Sequence, residues 1–167
     1  YGGNLIIKNG TIVLPEGMFK FDIMIENGRI VEIGSDIPIR TGFEVIDAKG
    51  MLILPGIVDE HVHMREPGLE YKDDFTHGTM AAAAGGVTTV LEMPNTLPPV
   101  DSGARVKEKA SLLSSKAYVD FALYGVLHDG NVDKFEDIIG EGAIGFKVFL
   151  GPTTGNIPAP SDSSIYE

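Results

Sequence analysis

Along its first third the chain alternates apolar and polar residues in short bursts separated by turn-forming pairs. Leu5-Ile6-Ile7 leads to Asn9-Gly10 and then to Thr11-Ile12-Val13-Leu14. Phe21, Ile23 and Ile25 alternate with Asp22, Met24 and Glu26; Asn27-Gly28 follows, and Arg29-Ile30-Val31-Glu32-Ile33 completes a hairpin. A period of two is the signature of a strand with one buried face. Asn-Gly between β-rich runs marks a turn, because both residues tolerate positive φ. Val45-Ile46 and Met51-Leu52-Ile53-Leu54 add two more short strands. The pattern predicts antiparallel strands of a small β-sandwich, or part of one, over residues 1–54.

From Pro55 the rhythm changes to strand–helix alternation. The first strand runs from Gly56 to Met64, and a helix covers about Asp74 to Ala84, ended by Gly85-Gly86. The second strand is Val87 to Met93 and the second helix about Ser102 to Ser115. A strand over Tyr118 to Leu127, a helix over about Val132 to Gly140 and a strand over Ala143 to Leu150 complete the series. Repeated units of this kind imply parallel strands joined by right-handed crossovers. Residues 55–167 are therefore expected to be α/β, the first half of a (β/α)8 TIM-type barrel, with an open doubly wound sheet as the competing architecture. A Gly/Pro/Thr/Ser stretch from Gly151 to Ser163 then leads to Ser164-Ile165-Tyr166-Glu167, whose Ser-x-x-Glu spacing is that of a helix-opening capping box. A complete barrel takes roughly 250 residues. The expectation is thus an N-terminal piece of a longer protein, inactive by itself; a complete half-barrel that dimerises is the alternative. The start at Tyr1 leaves the true N-terminus open.

Composition narrows the function classes. The chain has 167 residues, 24 acidic against 13 basic side chains and a formal charge of −11, which argues against nucleic acid as a partner. No apolar run is long enough to span a membrane and no secretory signal is visible. The absence of cysteine excludes disulfides and thiolate metal sites and is compatible with a cytoplasmic location. The expected partners are a small-molecule substrate and, in the intact protein, further copies of itself.

The run Asp59-Glu60-His61-Val62-His63-Met64-Arg65-Glu66-Pro67-Gly68 carries the chemistry. On a strand, His61 and His63 project to the same side, where two imidazoles can chelate one metal ion, and Arg65 continues the alternation. A metal beside a guanidinium suits a substrate with both a polarisable carbonyl and a carboxylate. Ligands in barrels of this kind sit at the C-terminal ends of strands. Asn95, after Met93-Pro94, lies at such an end, either as a donor and acceptor for a ligand or as a loop asparagine. Lys147, flanked by Gly145, Phe146, Val148 and Phe149, is a lysine in an apolar strand. Either it snorkels or pairs with an acid, or its amine, neutral when desolvated, reacts with carbon dioxide to form a carbamate that bridges two metals. His128, followed by Asp129-Gly130-Asn131, reads as a turn or rim histidine, His77 as an ordinary helix residue, and Gly85-Gly86 as a helix end rather than a phosphate loop.

These residues together resemble the amidohydrolase superfamily, and within it the cyclic amidases: dihydroorotases, allantoinases and hydantoinases. The resemblance runs from about Leu5 to Leu150. Pro55-Gly56-Ile57-Val58-Asp59-Glu60-His61-Val62-His63 is similar to the superfamily's entry into its barrel, a metal-dependent hydrolase fold. Ala83-Ala84-Gly85-Gly86-Val87-Thr88-Thr89-Val90 is similar to its first helix end and second strand, and Gly145-Phe146-Lys147-Val148-Phe149 to its carbamylated-lysine strand. His63-Met64-Arg65-Glu66-Pro67-Gly68 and Met93-Pro94-Asn95-Thr96 resemble the dihydroorotases in particular. That resemblance implies that Arg65 and Asn95 hold a substrate carboxylate, and Lys147 places the chain with the lysine-bridged branch rather than the aspartate-bridged one. It also implies two divalent ions, zinc fitting the donors best, with His61 and His63 on one and carbamylated Lys147 touching both. Two further metal-binding histidines and a proton-shuttling aspartate are expected beyond Glu167. The implied reaction is the reversible hydrolysis and cyclisation of dihydroorotate and N-carbamoyl-aspartate in pyrimidine biosynthesis, by a metal-activated hydroxide. Another cyclic amidase specificity, or a non-catalytic scaffold relative, is the alternative.

Overall fold

The computed structural model describes residues 3–166. The chain divides into two compact units, one up to Pro55 and one from Gly56 onward. Among the described residues no helix is long and apolar enough to cross a membrane.

The first unit is built from short strands: β1 (Leu5–Lys8), β2 (Thr11–Leu14), β3 (Gly17–Lys20), β4 (Asp22–Glu26), β5 (Arg29–Gly34), β6 (Glu44–Asp47) and β7 (Leu52–Ile53). They form two sheets, in the orders β5-β4-β1-β6 and β3-β2-β7. Asn27 and Gly28 adopt φ of 51° and 74° and join β4 to β5 in the expected hairpin. Asn9-Gly10 does something different. Its flanking strands lie in separate sheets, so the pair turns a corner rather than closing a hairpin. Asn9 is fixed there at φ 64°, donating its backbone N–H to Asp22 (3.0 Å) and its side-chain amide to Asp47 (2.8 Å). At Gly10 a Cβ would fall 2.2 Å from the Ile53 side chain, so the corner admits no larger residue. The expectation of antiparallel strands holds only in part: β1 with β6 and β2 with β7 are parallel, because the chain returns to each sheet after long connections. Strand β3 has no counterpart in the hydrophobic pattern. Ile6, Met24 and Ile37 form the core of this unit. Burial works to raise the Asp22 pKa, but bonds from Lys8, Asn9 and Ile37 outweigh it and hold the carboxyl below its ordinary range.

The second unit contains β8 (Ile57–Val62), α1 (Phe75–Ala84), β9 (Val87–Glu92), α2 (Gly103–Ser114), β10 (Asp120–Leu123), β11 (Gly125–Leu127), α3 (Phe135–Gly140), β12 (Phe146–Val148) and α4 (Asp162–Tyr166). Asp74 caps α1, its carboxylate accepting the His77 N–H at 2.8 Å. Gly85 closes the helix and Gly86 turns the chain into β9 at φ 85°. The strand expected over Tyr118 to Leu127 is broken at Tyr124. Its first half pairs with β9 and its second half with β12, both in parallel. Tyr124 N–H donates to the Glu92 carbonyl (3.1 Å) and Gly125 N–H to the Gly145 carbonyl (2.9 Å), so the third strand hands its pairing from one neighbour to the next. Spatial order therefore follows chain order, with every pair parallel. A doubly wound sheet needs a reversal of strand order, and none occurs among the described strands. This is the arc of a barrel, the first half of a (β/α)8 fold.

Phe75 of α1, Val106 and Leu113 of α2 and Ile138 of α3 pack with Val90 and Leu123 in one apolar layer. Ile57 and Val58, apolar residues at the start of β8, are 56% and 58% exposed, because β8 is the edge of its sheet among the described residues. Helix α4 begins one turn before the expected capping box, with Ser161 Oγ accepting the Ser164 N–H at 3.4 Å. Glu167, the acid of that box, lies outside the described residues. Phe75, fully buried and edge-on to Phe121 with ring centres 5.1 Å apart, is the keystone of the layer. In the full-length protein Phe75→Ala should lower unfolding free energy by about 3–5 kcal/mol, against about 0.5 kcal/mol or less for the exposed Tyr118→Ala. Denaturant midpoints at constant slope would measure both.

Candidate active site

The expected residues gather where β8, β9 and β12 end. β8 carries His61 and stops at Val62, whose carbonyl accepts the Met93 N–H at 2.9 Å. His63 lies one residue past the strand. The two imidazoles nevertheless converge, with Nε2 of His61 3.2 Å from Nε2 of His63. Two imidazoles bound at ordinary zinc–nitrogen distances around a tetrahedral ion place their nitrogens about 3.3 Å apart. The pair therefore fits one divalent ion. No group of three or more His, Cys, Asp or Glu side chains capable of holding a metal occurs among the described residues.

Asn95 sets which nitrogen of His63 carries the proton. Its Oδ1 is 2.8 Å from His63 Nδ1, and its Nδ2 donates to Thr153 Oγ1 at 3.1 Å. The amide oxygen accepts the Nδ1 proton, which leaves the Nε2 lone pair free. Asn95 is itself buried, at 4% exposure. Neither the Asn95–His63 contact nor the role of Thr153 was legible in the sequence. The partners lie 32 and 58 residues apart along the chain.

Arg65 reaches the site by a route other than strand alternation. The strand has ended, and Arg65 takes a left-handed φ of 60°. It lines a cleft of about 460 Å³ together with His63, Asn95, Phe149, Pro152 and Thr153. Its Nη1 is buried and has no hydrogen-bond partner among the described residues. A buried guanidinium nitrogen without an acceptor is costly, and an anion entering the cleft removes that cost.

Lys147 sits in β12 opposite Val126, half-buried, with its amine 5.5 Å above the Phe149 ring. It makes no ion pair among the described residues, so the snorkelling-or-paired alternative loses its paired form. The His63 pKa is lowered, first by burial and then by the positive charges of Arg65, His61 and Lys147, against the raising effect of the Asn95 bond. The neutral imidazole, which is the form that ligates metal, is thus favoured.

The other histidines stand apart. His128 accepts the Gly130 N–H on its Nδ1 (3.0 Å) and belongs to a turn whose Asn131 accepts the His128 N–H. His77 is exposed on α1, its pKa raised by Asp74. A larger hollow of about 750 Å³ lies at the opposite strand ends, by Val87, Thr88, Asp120 and Phe121. It contains no histidine and no cation, so its size does not make it the site.

In the metal-free protein the two shifts have opposite signs, and histidine ring-proton NMR should show His63 titrating below, and His77 above, the ordinary imidazole value. For His63 the unfolded chain binds the proton more readily. Its share of stability is therefore present above the ordinary value and lost as pH falls through it toward the depressed one. A His63 midpoint at or above that of His77 contradicts the burial seen here.

Residues 50–138 match the family model described as dihydro-orotase-like. The chain is 37% identical over 166 residues to an allantoinase of Deinococcus radiodurans, covering 98% of this chain and 37% of that protein. It is 39% identical over 152 residues to a dihydroorotase of Methanosarcina acetivorans, covering 90% and 32% respectively. Among solved structures it superimposes on the L-hydantoinase of Arthrobacter aurescens with a TM-score of 0.92 and 33% identity, over 99% of this chain and 37% of that one. The chain thus spans about a third of the length of these relatives.

Proposed function

The chain belongs to the dihydroorotase-like family of cyclic amidohydrolases, and from that membership we propose that the whole protein is a dihydroorotase, in which these residues supply one metal-binding face and the carboxylate site. One observation carries the choice within the family: the unpartnered, buried Nη1 of Arg65 in the cleft that His63 and Asn95 also line. A cyclic amide that bears a carboxylate offers that nitrogen a charged, two-point acceptor, whereas a neutral ring offers only carbonyl oxygens, which bind a guanidinium more weakly. Relatives called allantoinase and dihydroorotase match at similar identity, so overall similarity does not separate the specificities.

His61 and His63 would hold one ion through their Nε2 atoms, and Lys147, as its carbamate, would provide an oxygen bridge to a second, with zinc the best match to these donors. Divalent ions bound there supply Lewis acidity to the ring carbonyl and make water nucleophilic near neutral pH. Asn95 holds the His63 ring and its tautomer. Its remaining amide hydrogen is free to join Arg65 on the carboxylate. Arg65 binds that carboxylate by a two-point fork and so sets the scissile amide against the imidazole pair. Phe149 and Pro152 give the cleft apolar walls. The proton shuttle and the remaining ligands would come from outside this chain.

Four measurements on the full-length protein bear on this reading. A panel of dihydroorotate, allantoin, hydantoin and dihydrouracil should show turnover of dihydroorotate above the others. Preference for an uncharged ring removes the assignment. Arg65→Met should lower kcat/KM for dihydroorotate by roughly 10- to 150-fold, the worth of a charged hydrogen bond, while metal content stays at the parent level. The His61→Ala, His63→Ala double variant should lose metal by elemental analysis. Protein grown with 13C-bicarbonate should show a carbamate resonance that Lys147→Arg abolishes. A bare amine with both metals bound overturns the bridging role.

A further inference from the structure

The segment that carries Arg65 leaves the sheet through a layer of buried charge that the catalytic reading does not use. Glu92, at the end of β9, is 1% exposed, and Lys109 of α2 is 3% exposed. They form an ion pair at 3.2 Å, and Lys109 also donates to the Met93 carbonyl at 3.1 Å. The other Glu92 oxygen accepts the Met64 N–H at 2.9 Å. Glu66, equally buried, accepts the Phe75 N–H at 2.9 Å and pairs with Lys116. Arg65 lies between Met64 and Glu66, and its charge acts on Glu92.

A guanidinium beside buried carboxylates ordinarily takes one of them by two parallel bonds. Arg65 takes neither. Lysines already hold both acids, and its Nη1 stays unpartnered.

We propose that Lys109 is a specificity-determining residue: by occupying Glu92 it prevents an internal Arg65–Glu92 pair and keeps Arg65 open to a ligand carboxylate. The inference rests on the reading of Arg65 as the carboxylate-binding residue. The ligand class is then a ring bearing a carboxylate, the acceptor that Arg65 lacks. Lys109 does not touch the ligand; it acts through Glu92.

The test uses the full-length, metal-loaded protein and the variants Lys109→Gln and Glu92→Gln/Lys109→Gln. Glutamine at 109 can still donate to Glu92 and to the Met93 carbonyl but carries no charge. The probe is orotate, a planar ring with the same carboxylate, followed by calorimetric titration. Lys109→Gln should bind orotate at least about tenfold more weakly, the lower end for a lost charged hydrogen bond. Metal content should be unchanged, and crystals should show the Arg65 guanidinium within about 4 Å of Glu92, ion-pair distance. The double variant should recover most of the lost affinity, because a glutamine at 92 still accepts the Met64 N–H but no longer attracts Arg65. Parent-like binding by a folded Lys109→Gln overturns the proposal, as does a double variant as weak as the single one. A Lys109→Gln that fails to fold, beside a double variant that folds and binds like the parent, assigns Lys109 to stability alone and also overturns it. If the parent does not bind orotate, the dihydroorotase reading fails, and the Arg65–Glu92 separation in Lys109→Gln crystals still decides the charge arrangement.

Discussion

The mouth of the second unit depends on how the chain leaves strand β8. The ladder between β8 and β9 ends with Val62 opposite Glu92. One residue further on, the Met64 amide is buried and needs an acceptor that no strand supplies. Glu92 accepts it. A carboxylate at 1% exposure is costly unless neutralised, so Lys109 must reach in from α2. Burial pushes the Glu92 carboxyl up and the Lys109 ammonium down, which makes each the condition for the other's charge. With Met64 fixed, His63 lies between two anchored positions and Arg65 is carried into the left-handed region that aims it at the cleft. Glu66 then accepts the Phe75 N–H at the start of α1, so this segment ties the site to the apolar layer beneath it.

The local field at this mouth is opposite to that of the molecule. The chain carries a net charge of −11, yet the His63 pKa is lowered, first by burial and then by the positive charges of Arg65, His61 and Lys147. A concentrated positive patch on an acidic protein favours an anionic ligand while the surrounding surface repels anions elsewhere. The amide of Asn95 fixes the tautomer of His63, and the Arg65 guanidinium beside it lacks an acceptor among the described residues.

Much of this was readable from the chain. The change from alternating bursts to strand–helix units at Pro55 reflects backbone sterics and local burial, which act over a few residues. The cap at Asp74 and the stop at Gly85-Gly86 are likewise local, as is the Asn27-Gly28 hairpin. The pairing of His61 and His63 was legible from their two-residue spacing, although the strand ends at Val62, between them. The tertiary structure decided the rest. Asn9-Gly10 has the same composition as Asn27-Gly28 but turns a corner, because Asp22 and Asp47, distant in sequence, hold it there. Arg65 reaches the cleft through a kink beyond the strand end, and no alternation rule covers that step. Asn95 orients a histidine 32 residues away. Lys109 looks like an ordinary helix lysine until α2 is packed over β9. A sequence states which charges exist. Which of them pair, and which one is left unpartnered, is set by packing that brings distant residues within 3–4 Å in a medium too dry for water to take their place.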